Sequence, residues 1–143
     1  MITTINAIAA FLFAGKARFT LVSSATGARY TYRVTKAAND DGPWFVSVLT
    51  GSDNEADYSY MACIFPDRPA RLVHTRKSRV GAEAPSAKAL AWYLAQLEAA
   101  NEDSLGKVEF HHEGACGRCG RALTVPESIE TGLGPVCAGK VAA

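Results

Sequence analysis

Cys116 and Cys119 stand two residues apart, His112 lies just upstream of them, and Cys137 answers from near the end of the sequence. Thiolates at this C-x-x-C spacing can bend round one ion. The intervening turn brings both sulfurs near the separation that tetrahedral zinc requires, and Gly117 and Gly120 relieve the backbone. Gly134-Pro135 reads as the opening of a short helix with proline at its first position. That puts Cys137 in the first turn, where the helix dipole favours a thiolate. A closed site takes four ligands, and the nearest candidate for the fourth is His112, with the adjacent His111 as the alternative. The expected chemistry is structural zinc, with no coordination position left for water or substrate. In zinc-finger peptides such binding is worth about 10–16 kcal/mol of apparent free energy. Two competing readings are weaker: a redox C-x-x-C lacks its strand-to-helix context, and a disulfide pair has no secretory support elsewhere in the chain.

A second set of residues could do electrostatic work. The 143 residues carry a net charge of only +1, so there is no global basicity to announce a polyanionic partner. The distribution says more. Residues 65 to 83 hold Arg68, Arg71, Arg76, Lys77 and Arg79 against Asp67 and Glu83, whereas residues 1 to 64 are balanced. Such a segment could neutralise phosphates, with Arg118 and Arg121 extending the track, and strand aromatics such as Tyr30, Tyr32, Tyr58 and Tyr60 could stack on single-stranded bases. The plainer reading is that the tyrosines form the packed face of a sheet and the arginines a solvated edge that discourages strand pairing. Catalysis has little support: the chain has no phosphate-cradling P-loop, no G-x-S-x-G elbow and no H-E-x-x-H helix. Asp53, Glu55 and Asp57 lack the spacing of a calcium loop and read as a solvated hairpin tip.

The elements that must position these groups follow from periodicity. Ile5, Ile8, Ala9 and Leu12 fall at helical spacing, with Thr3 or Thr4 as N-cap and Gly15 just beyond. This apolar run is too short to span a membrane and has no basic residue before it, so it is expected to be a buried helix. From Lys16 the period becomes two. Ala17, Phe19 and Leu21 alternate with Arg18, Thr20 and Val22. After Ser24-Ala-Thr-Gly27, Tyr30, Tyr32 and Val34 alternate with Arg29, Thr31 and Arg33, which predicts a hairpin. Trp44 to Thr50 and Tyr58 to Ile64 bracket a second turn, with Cys63 as a core filler, and Arg71 to Thr75 is a candidate fifth strand. Pro85 opens a helix running to about Ala100, with Leu90, Tyr93, Leu94 and Leu97 on its apolar stripe. Trp92 falls on the other side, either buried beneath the N-terminal helix or the zinc module, or presented to a partner. Asn101 to Gly106 reads as a linker. The alternation in Val108-Glu-Phe-His-His112 would carry His112 to the metal and turn His111 away, which is the reason for preferring His112.

The segment from about His112 to Lys140 resembles a small zinc-knuckle domain of unknown function common in bacteriophage and prophage proteins. The likeness rests on Cys116, Cys119, Arg121, Leu123, Thr124, Pro126, Ser128, Gly132, Gly134, Pro135 and Cys137, about a fifth of the chain. Residues 14–23 and 27–33 are similar to the partner region of such proteins. The resemblance implies origin more than activity. The reading overall is an α+β protein: an antiparallel β-meander of about five strands packed by two helices over residues 1–105, then a zinc-knuckle module over 106–143. It is expected to be cytoplasmic, in the host if phage-encoded, not membrane-bound and not an enzyme. Its leading expected partner is nucleic acid; the alternative is a host or anti-phage defence enzyme that it would inhibit or modulate, anchored through Trp92 or Trp44.

Overall fold

The structure, a computed structural model, describes residues 2–38, 42–52, 56–112 and 117–118. Helix α1, Ile5–Leu12, is capped by Thr4, whose side chain accepts a hydrogen bond from the Ala7 amide, and it buries Ile8, Phe11 and Leu12. Gly15, at φ +129°, turns the chain out of this helix into β1, Lys16–Ser23. Gly27, at φ +74°, helps to turn it back into β2, Arg29–Lys36. Strands β3, Trp44–Leu49, and β4, Tyr58–Ile64, complete a four-strand meander. Helix α2, Pro85–Glu98, begins with proline in its first turn and buries Ala87, Leu90, Tyr93, Leu94 and Leu97, the stripe expected from the sequence.

The expected linker holds a further short helix, α3, Glu102–Leu105, capped by the Asn101 side chain and anchored by buried Leu105. Strand β5, Val108–His112, follows. All pairings are antiparallel, in the order β4-β3-β2-β1-β5, so the fold is α+β. The fifth strand is therefore not Arg71–Thr75. In that stretch only Val73 bridges to Cys63, and the true fifth strand joins the opposite edge of the sheet beside β1.

One face of the sheet is dry. Ala17, Phe19, Tyr32, Val34 and Val46 are fully buried there beneath α1 and α2. Phe110 from β5 is at the centre: its ring stacks on Phe19 at 4.7 Å and on Tyr93 at 6.0 Å, and meets Phe11 edge-on at 5.8 Å. Tyr32 belongs to this core rather than to a stacking surface, and its hydroxyl donates to the Ser86 carbonyl at 2.7 Å. Burial pushes the Tyr32 and Tyr93 hydroxyl pKa values far above the usual tyrosine value.

Between Val46 and Ser47 the β3–β4 register shifts by one residue, leaving Met61 without a cross-strand partner. This bulge lets Met61 and Ala62 be buried side by side, with Ile64 beyond; Cys63, opposite Phe45, is buried beside Val73 instead, and Tyr58 and Tyr60 face the side away from the helices.

Candidate functional site

The side of the sheet turned away from the helices has a different chemistry. Cross-strand register aligns Tyr60 with Ser47, Ser47 with Arg33, and Arg33 with Arg18, one row across four strands. Arg33 lies over the Tyr58 ring at 4.5 Å from its centroid, and Arg18 approaches the same ring at 5.7 Å. Thr20 and Thr31 share a 2.7 Å hydrogen bond in the neighbouring row. Phe45, 43% exposed, adjoins Tyr60 at 6.4 Å between ring centroids. On β5 the same face carries His111, whose Nε2 lies 3.0 Å from Glu109 Oε1.

The basic segment runs along the outer edge of β4. Cys63 and Val73 exchange both backbone hydrogen bonds, at 3.0 and 2.9 Å, and the Arg79 amide donates to the Tyr60 carbonyl at 2.8 Å. Thr75 to Ser78 closes a turn through Ser78 N–H to the Thr75 carbonyl, and the Thr75 amide returns to Ser78 Oγ at 2.9 Å. Burial raises the Tyr60 hydroxyl's pKa, and a hydrogen bond with Thr75 opposes that rise. The segment thus blunts an edge strand, as the plainer reading expected. Arg71, Arg76, Lys77 and Arg79 are nevertheless all exposed, and the turn carrying the last three adjoins the Tyr60 end of the row.

At the other end of the sheet, the Lys16 amide donates to the Gly117 carbonyl at 2.6 Å, which brings exposed Arg118 to the start of β1, two residues from Arg18. The register row therefore bridges the span between the basic turn and Arg118. Arg121 lies outside the described residues. Tyr30 and Tyr32, named with Tyr58 and Tyr60 as stacking candidates, point to the core side instead. The residues that sequence reasoning missed are Arg18, Arg33 and Phe45, whose adjacency depends on strand register.

Of the expected metal ligands, Cys116, Cys119 and Cys137 lie outside the described residues. Among the described residues no three His, Cys, Asp or Glu side chains converge. His112 pairs with Phe19 on the core side of β5 and its ring lies 5.8 Å from that of Phe11, whereas His111 faces the open side with Glu109. Gly117, between the two C-x-x-C cysteines, is buried against the same phenyl: a Cβ there would lie 2.6 Å from Phe11 Cδ2 and 3.0 Å from the Phe11 carbonyl. His112 and Gly117 thus meet at one buried ring.

The two tryptophans stand in different surroundings. Trp44 is engaged: its Nε1 donates to the Phe13 carbonyl at 3.2 Å and Lys36 lies over its ring at 4.1 Å. Trp92 is not buried. It is 40% exposed and lines a mostly apolar groove of about 490 Å³ with Leu21, Tyr30, Pro85 and Lys88. Of the acidic tip, Asp53 and Glu55 lie outside the described residues. Among the described residues no helix is long and apolar enough to cross a membrane.

Fold and site together define an α+β protein whose sheet is covered by helices on one face and presents arginines, hydroxyls and aromatic rings on the other. Residues 108–142 match a family of unknown function, DUF6011. No curated protein and no solved structure matches the chain. The matched segment begins at the first residue of β5, so it includes the strand that places Phe110 in the core.

Proposed function

We propose that this is a small zinc-stabilised accessory protein of phage type that binds nucleic acid without catalysis. Its phosphate contacts come from Arg71, Arg76, Lys77 and Arg79 at one edge of the sheet, with Arg118 and Arg121 extending the track. The observation that carries this reading is the register row Tyr60–Ser47–Arg33–Arg18, which joins the basic turn to the Lys16–Gly117 contact. A cationic segment alone would suit a solvated edge. A cationic segment continuous with an open face of arginine and aromatic rings suits a polyanion with bases to stack.

Zinc in this reading is held by Cys116, Cys119, Cys137 and His112 and acts as a structural clamp. The packing of His112 and Gly117 on Phe11 supports that ligand choice over His111, which faces the other way. Metal analysis of the purified protein should return a single equivalent of zinc, and Cys119→Ser should lose it and destabilise the chain. A metal-free Cys119→Ser protein as stable as the parent would remove the structural role. The phage origin rests on the likeness of the C-terminal segment to phage and prophage proteins.

The test is a titration of the zinc-loaded protein with single-stranded and duplex DNA and RNA at low and near-physiological salt. Changing Arg76, Lys77 and Arg79 together to alanine should weaken binding to all of them and reduce the salt slope by about 2–3. A folded triple variant with unchanged affinity and slope would refute the basic-track assignment. The exposed Trp92 beside its apolar groove favours the second reading, a protein that docks on a host or defence enzyme. No binding to any nucleic acid would make that reading the leading one.

A further inference from the structure

We infer that the groove between α2 and the β1–β2 hairpin docks an acidic peptide segment of a partner protein. A large apolar side chain of that segment seats against Trp92, and its carboxylates meet Lys88 and Lys107. This gives the docking reading its partner chemistry and rests on that reading. It is independent of the nucleic-acid one, because the groove opens on the helix side of the sheet and the register row lies on the other. Leu21, Tyr30, Pro85 and Val108 supply apolar walls to a volume of about 490 Å³, large enough for a bulky anchor. Trp92 stands among them 40% exposed, an aromatic ring of the kind that dominates binding once a partner covers it.

The polar groups round the groove share one character. Lys88 lies one helical turn before Trp92, on the same side of α2, and Lys107 lies just ahead of β5. The Lys107 carbonyl accepts from the Ser24 amide at 3.0 Å, which ties this rim to the hairpin turn. In that turn Ser23 Oγ accepts from the Thr26 amide and Thr26 Oγ1 from the Ala28 amide, so both hydroxyls keep their protons to donate. Among the described residues no Asp or Glu lines the groove, and neither lysine is ion-paired. Helix α2 opens at Pro85 with no side-chain cap and no acidic residue in its first turn, so the positive end of its dipole lies beside Lys88 uncompensated. Two ammoniums and two hydroxyl donors round an apolar surface match a ligand with an apolar body and carboxylate oxygens, and repel a basic one.

The experiment selects binders to the full chain from a random peptide library displayed on yeast, then titrates the enriched peptides while tryptophan emission is read. Enriched peptides should carry a large apolar residue beside Asp or Glu. Their tryptophan-free members should shift the emission to the blue, a shift that Trp92→Phe abolishes while Trp44 still emits. Trp92→Ala, checked for folding by thermal unfolding, should weaken binding about tenfold or more. Lys88→Gln with Lys107→Gln should weaken it about threefold to tenfold and flatten its salt dependence. The variant with Arg76, Lys77 and Arg79 changed to alanine should bind as the parent does. Enriched peptides that are neutral or basic and still need Trp92 would overturn the acidic partner and leave a docking groove standing. A loss in the basic-turn variant equal to that in Trp92→Ala would mark a general attraction to positive charge and overturn the site. No enrichment, or unchanged affinity in a folded Trp92→Ala protein, would overturn the inference and the groove's part in the docking reading together.

Discussion

The two faces of the sheet are built from the same strands and even the same residue classes, yet they differ in what the aromatic rings and charges do. On the helix side, Phe19, Tyr32 and Phe110 are closed off from solvent, and the Tyr32 hydroxyl donates to a helix carbonyl. On the other side, Tyr58 lies beneath two guanidiniums and Phe45 stands in solvent. The contrast teaches that the covered face carries the stability of the fold, while the open face keeps its charged groups and rings at the surface.

The sharpest way to break that contrast is to remove the ring at the centre of the covered face. Phe110→Ala deletes contacts to Phe11, Phe19 and Tyr93 at once and should cost about 3–5 kcal/mol in urea unfolding, close to the whole stability of a small domain. A cost below about 1 kcal/mol would mean that the aromatic cluster is not the main support of the fold.

Gly117→Ala comes next. The added methyl would meet the fully buried ring and the backbone carbonyl of Phe11, neither of which can retreat, so a loss of about 1–3 kcal/mol is expected. If the variant keeps full stability, the contact of Gly117 with α1 is dispensable. The covered face would then end at His112.

Much of this contrast was legible in the sequence, and the illegible part has identifiable causes. Alternation in β1 and β2 separated Ala17, Phe19 and Leu21 from Arg18 and Thr20, and Tyr32 and Val34 from Arg33, because a strand with one buried face must obey a period of two. The same rule separated His112 from His111. It failed in β4, where the bulge opposite Val46 and Ser47 breaks the alternation at Met61, so Tyr58 and Tyr60 could not be assigned to a face. Arg71 to Thr75 was a candidate fifth strand, but pairing is a property of the neighbour, and only Val73 finds one. The opposition of Arg18 and Arg33 is set by hairpin register, and the joining of β5 to β1 by a contact far along the chain; neither is written in local pattern. Trp92 was left between burial and exposure, and its place on α2 sets it at the rim of a groove between the helix and the β1–β2 hairpin.

The smallest effect sharpens the comparison most. Arg33→Gln removes one of two opposed positive charges and one cation–π contact of about 0.5–1 kcal/mol, while relieving a like-charge repulsion of similar size. The two terms nearly cancel, so unfolding midpoints of parent and variant should agree to within about 0.5 kcal/mol. A loss above about 1.5 kcal/mol would show that Arg33 holds the sheet together and that the open face is a second structural layer rather than a binding surface. A slight gain that grows as salt is lowered would show instead that Arg33 stands in a net positive field on this face.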